Sequence, residues 1–177
     1  VVALALDAAA AAGVVPVVAA GNDFTEFGAG SLSSPGTSEG AITVGATTSG
    51  ATPVMASFSS SGPTPISLRL KPDVVAPGSS ILSAQPGGWG ALSGTSMATP
   101  HVAGLAALVL SVNSGLSVSQ LKSNILDNVT PVGGLSGKMV TGGIINAAAS
   151  VNAAAGTTPD PGSGGGGGGA GGGGTGG

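Results

Sequence analysis

Leu92-Ser93-Gly94-Thr95-Ser96-Met97-Ala98-Thr99-Pro100-His101-Val102-Ala103-Gly104, continued by an apolar run to Val112, is the stretch from which the fold is read. Small residues make a turn, and behind it the pattern becomes helical. A helix opens with backbone N–H groups that have no partner inside it, and its dipole favours negative charge there. Ser96 stands at that entrance. Its hydroxyl is a candidate nucleophile, and its N–H a candidate donor to the oxyanion formed when a carbonyl is attacked. Pro100 is read as close enough to the helix start for its missing N–H to matter little. Ala98, Ala103 and Gly104 let other backbone approach closely.

His101, the only histidine, invites pairing with Ser96. Five residues along a helix amount to roughly 140° around the axis and about 7.5 Å along it, so the two side chains diverge. A general base needs reach of about 3 Å. His101 is expected to be structural.

The segment from Gly94 to Gly104 resembles the nucleophile motif of the subtilisin-like serine proteases, the subtilases. The resemblance implies an α/β, three-layer, subtilisin-like fold with a mostly parallel sheet, and Ser96 as the serine that carries the acyl group. Subtilases hold their triad in the order Asp, His, Ser, so the acid and the base are expected upstream of Ser96. Neither an Asp-Thr/Ser-Gly strand end nor a His-Gly-Thr segment occurs here. The chain is expected to be the C-terminal portion of a catalytic domain, incomplete because the N-terminal part is missing, and inactive by itself.

Composition fits one domain with a real core, short for a complete subtilase catalytic domain, at 177 residues. Only 6% of residues are charged and 2% aromatic, while 35 are glycine, so small-residue packing and loops dominate. A net charge of −3 and four basic residues (Arg69, Lys71, Lys122 and Lys138) argue against a nucleic-acid surface or binding to an anionic membrane. The absence of cysteine excludes disulfides and thiolate metal sites. No signal peptide is visible ahead of the first helical pattern. The apolar run 102–112 is shorter than the roughly 20 residues that span a bilayer.

Along the chain, residues 2–12 read as an amphipathic-to-buried helix stopped by Gly13, and 14–20 as a strand with Pro16 at its start. Helix, glycine and strand in that order suggest an α/β sheet with parallel strands. Gly21-Asn22-Asp23 is turn chemistry in its own right. By resemblance to the subtilase Ala-Ala-Gly-Asn segment, Asn22 is also the second oxyanion donor, opposite the Ser96 N–H. Residues 24–40 read as a loop without periodicity. In the family this loop, with Ala19, Ala20 and Gly21, borders the pocket for the side chain before the cut bond, which implicates Ser33. By resemblance Leu92 lies close to the pocket for the residue after the cut, Gly94 and Thr95 are further substrate-binding candidates, and Trp89 is read as packing.

Residues 41–46 form a second strand, and Leu70-Lys71-Pro72-Asp73-Val74-Val75-Ala76-Pro77-Gly78 repeats a family segment. Family order makes Asp73 structural, a cap for backbone N–H groups. In some subtilases the equivalent acid joins loop carbonyls, here near residues 36–41, around calcium or sodium; one acid does not establish such a site. No cofactor is expected; the tighter calcium site of many subtilases uses N-terminal residues that do not occur in this sequence. Strands at 81–84 and 89–92 lead to Gly94. The capping box Ser117-Val118-Ser119-Gln120 opens a helix to about Asp127, with Leu121, Ile125 and Leu126 on one face. Residues 142–148 resemble the family's closing element, a last helix to about Ala155.

Residues 1–156 are assigned to the catalytic-domain portion and 157–177, with 13 glycines in 21 residues, to a flexible linker. The leading reading is a secreted serine endopeptidase acting on proteins or peptides, completed by the missing N-terminal half of its domain. The alternatives are a catalytically dead subtilase-like module, or a sedolisin-type peptidase, which Asn22 disfavours.

Overall fold

The computed structural model describes residues 1–158. The expected linker falls almost wholly on residues 159–177, outside the described residues.

Helix α1 (Val2–Ala11) ends ahead of Gly13, whose φ of +93° lies in the left-handed region that favours glycine. The expectation that α1 packs as a buried helix is not met: none of its residues is buried. Its inner face, Ala3, Leu6, Asp7 and Ala10, is only half-buried, so of the amphipathic-to-buried reading the amphipathic part fits. Asp7 on this face tethers it, accepting from the Ser38 hydroxyl and from the Gly40 N–H.

Strand β1 (Val17–Ala19) runs parallel to β2 (Ile42–Thr47). Pro16 stands just before β1, where its carbonyl accepts the Ile42 N–H at 2.9 Å and its missing N–H leaves the ladder intact. The loop between the strands holds a short helix, α2 (Phe24–Phe27), which aperiodic composition did not reveal. Strand β3 (Val74–Pro77) pairs parallel with β2.

The hairpin of β4 (Ile81–Gln85) and β5 (Gly88–Leu92) forms a separate antiparallel sheet. Trp89 lies on it 74% exposed, which corrects its reading as packing: the two-stranded sheet offers it no opposing layer.

Helix α3 (Thr95–Val112) follows, then α4 (Val118–Asp127), β6 (Thr130–Pro131), β7 (Gly143–Ile144) and α5 (Ala147–Gly156). The capping box of α4 is formed in full, Ser117 and Gln120 satisfying each other's backbone. The closing segment 142–148 is not helical throughout. Its first residues form β7, and α5 begins only after Asn146, whose side chain accepts the Ala149 N–H.

The main sheet has the order β1-β2-β3-β7-β6, parallel except for the β6–β7 pair. Side chains alternate across it. Ile42, Val44, Ala46, Val74 and Ala76 face Ala98, Val102, Leu105 and Val109 of α3, and Leu121, Ile125 and Ala154 close the cluster. Val75 points the other way, into a smaller cluster with Val132, Leu135 and Met139. Each fully buried Val, Leu or Ile contributes about 1.5–3 kcal/mol. The 18 residues of α3 are long and apolar enough to cross a bilayer by composition, yet the helix lies across β1, β2 and β3.

Candidate active site

Two chain segments meet at the N-terminus of α3. The first leaves β1 through Ala20, which is buried and donates its N–H to Val44 O. Gly21 then turns with φ +110°, and a Cβ on it would lie 2.9 Å from Ser60 Oγ and 3.2 Å from Ser33 Oγ. Glycine is required there on both counts, and it delivers Asn22 to the surface. The second segment leaves β5 through Ser93 and Gly94, whose N–H donates to Gly78 O at 2.8 Å. A Cβ on Gly78 would stand 2.6 Å from Ala46 Cβ and 2.8 Å from Gly94 O. The absence of a side chain at Gly78 is what lets this turn sit against β2.

Thr95, fully buried, locks the segments together. Its N–H donates to Asn22 Oδ1 at 2.9 Å and its hydroxyl lies 3.1 Å from the same oxygen. The hydroxyl also accepts the Gly21 N–H at 3.2 Å. With Oδ1 held inward, the Nδ2 end of Asn22 is turned the other way. The space a Cβ on Gly94 would take lies 3.4 Å from Asn22 Nδ2, 3.7 Å from the Ser96 N and 3.6 Å from Met97 Sδ. Two N–H donors thus border one small space.

Ser96 is exposed beside this space. With Leu82, Met97, Pro100 and His101 it lines a cleft of about 330 Å³ between β4 and α3. His101 shares the cleft, but its Nδ1–H donates to Met97 O at 2.9 Å, back onto its own helix. Pro100 is the sixth residue of α3, past the turn whose N–H groups are free, which corrects the reading that its lost donor is negligible. It removes the N–H that would have bonded to Ser96 O.

The other residues implied on the substrate side come together in part. A Cβ on Gly36 would lie 3.0 Å from both Ala19 O and Ser33 O, so the loop packs directly on the end of β1. Leu92 ends β5 opposite Ile81, exposed and outside the cleft lining.

At the opposite, N-terminal end of β2 and β3, Asp73 caps backbone as read from the sequence. Its Oδ2 accepts the Thr43 N–H at 2.7 Å. Its ion pair with Lys71 at 2.6 Å, both residues 4% exposed, was not foreseen. The i, i+2 spacing of Lys71 and Asp73 in extended chain was the available signal. Burial pushes the Lys122 ammonium below the usual lysine pKa, with Asp73 opposing the shift. The Ser38 hydroxyl, and then the Gly40 N–H, hold the Asp7 carboxyl below its ordinary range.

A family model described as the subtilase family matches residues 2–160. Subtilisin Savinase of Lederbergia lenta is 40% identical over 147 residues, covering 82% of this chain and 49% of that protein. The alkaline protease of Shouchella clausii is 40% identical over 147 residues, covering 82% of this chain and 35% of its own length. Among solved structures, Sphericase superposes with a TM-score of 0.69 at 32% identity, covering 80% of this chain and 51% of that one. The chain therefore spans about half or less of the length of these relatives. Sequence motif, sheet topology and relatives agree that the chain belongs to the subtilase family.

Proposed function

We propose that this chain supplies the electrophile-binding half of a secreted serine endopeptidase, with Ser96 as nucleophile and Asn22 and the Ser96 N–H as its oxyanion donors. The observation that carries the reading is the shared space bordered by Asn22 Nδ2 and the Ser96 N. A substrate carbonyl oxygen in that space gains negative charge as Ser96 Oγ bonds to the carbonyl carbon, and the two donors strengthen as it does. The Ser96 proton passes to a histidine outside this chain, oriented by an aspartate also outside it. The same proton then goes to the leaving amine as the C–N bond breaks. Water hydrolyses the acyl-enzyme by the reverse sequence.

His101 is assigned no part in the proton transfer: five residues along the helix turn its side chain roughly 140° from that of Ser96, and its ring is bonded back to Met97 O on its own helix. The loop by Ser33, Ala19, Ala20 and Gly21 borders the residue before the cut, and Leu92 and Thr95 belong to the framework beyond it. No cofactor enters the chemistry, and the chain alone is inactive for want of a base. A fluorophosphonate probe applied to the full-length protein is expected to label Ser96 and to leave Ser96→Ala unlabelled. A folded full-length protein that takes no label at Ser96 overturns the reading.

A further inference from the structure

The loop from Ser33 to the start of β2 has two ends with different tasks. Its outward leg packs on Gly21, beside the candidate site. Its return leg carries three carbonyls, at Gly36, Glu39 and Ala41, that converge near Asp73. In some subtilases the equivalent acid and loop carbonyls hold calcium or sodium, and the residues present here do not fit such an ion.

Every one of those oxygens is already bound by a protein donor. Lys71 Nζ donates to Asp73 Oδ2 at 2.6 Å, Thr43 Oγ1 at 3.0 Å and Ala41 O at 3.3 Å, which uses all three ammonium protons. Lys122 Nζ, reaching across from α4, donates to Glu39 O at 2.9 Å and Ala41 O at 2.8 Å, and stands 3.9 Å from Asp73 Oδ2. The Thr43 hydroxyl donates to Gly36 O at 2.9 Å. A hard cation wants six to eight oxygens, most of them carrying negative charge or free lone pairs. It would have to enter between two ammonium groups that share one carboxylate.

We propose that Lys71 and Lys122 act as built-in cations at Asp73, so that the return leg of the loop is held without a metal ion and the position is closed to calcium and sodium. Three elements grip the leg independently. Lys71 and Asp73 hold it from the approach to β3, Lys122 from α4, and Asp7 from α1 through Gly40 and Ser38. The exposed Arg69–Glu39 pair at 3.1 Å stands at the rim. Geometry at the loop's outward end then depends on lysine side chains and not on ion supply.

Hydrogen exchange of the Ser38, Gly40, Ala41 and Thr43 amides in the full-length protein gives a local readout, blind to any metal site elsewhere. Exchange of these amides in the unaltered protein is expected to be the same in calcium, in sodium and in chelator. In Lys122→Gln, where a rim ammonium is lost and the buried pair stays intact, exchange is expected to rise about ten- to hundredfold, the range for losing charge-assisted hydrogen bonds. Protection in the unaltered protein that grows with calcium or sodium overturns the proposal. So does exchange in Lys122→Gln that matches the unaltered protein.

Discussion

An amide side chain has an accepting end and a donating end, and a candidate oxyanion donor is useful only if the first is fixed so that the second faces the substrate. Thr95 does this for Asn22 with its N–H and its buried hydroxyl. Replacing Asn22 by alanine in the full-length protein is expected to lower kcat by about 100- to 1000-fold, as for loss of one oxyanion donor, with KM changed little. Steady-state kinetics on a peptide substrate check the split. Met97 Sδ lies 3.6 Å from the same small space. Peroxide treatment that converts Met97 to its sulfoxide is expected to reduce turnover, because a bulkier polar group then stands beside the reacting carbonyl; peptide mapping with parallel rate assays tests this. The position of Ser96 at the entrance of α3 was legible in the local sequence, whereas Asn22 reads there only as a turn and was linked to Ser96 through the family resemblance. Thr95 as the part that orients Asn22 was not, because a threonine between glycine and serine in a turn gives no sign that it is buried.

Among the elements, those fixed by local chemistry were the readable ones. The box at Ser117 and Gln120 names its own helix, and α4 forms where that box requires. Ser117→Ala is expected to destabilise the fold by about 1 kcal/mol, measured as a lower urea midpoint at unchanged slope. The β-branched run that becomes β2 was likewise plain, since all six of its residues are buried. Elements whose nature depends on distant partners were not. Strand β7 is two residues long and exists only because β3 and β6 flank it. Helix α1 has good helix-forming composition, but composition could not say that it stays half-buried and is held through the Asp7 carboxylate.

For the molecule as a whole, that carboxylate links stability to acid. The Asp7 pKa is depressed in the folded chain, so its contribution is complete above the ordinary aspartate value of about 4 and is lost as pH falls through the folded value. In that window the unfolded chain binds more protons. Urea midpoints followed downward from pH 6 are expected to fall less steeply below about pH 4 in Asp7→Asn than in the unaltered protein. The largest separations have a different consequence. Asn22 and Thr95 are 73 positions apart, and between them lie β2, β3 and the β4–β5 hairpin. Pairings between parallel strands form slowly, because distant segments must be gathered before any contact rewards them. A nascent or partly refolded chain therefore carries Ser96 with no amide across from it. The space bordered by Asn22 Nδ2 and the Ser96 N exists only in a chain whose distant segments have already met.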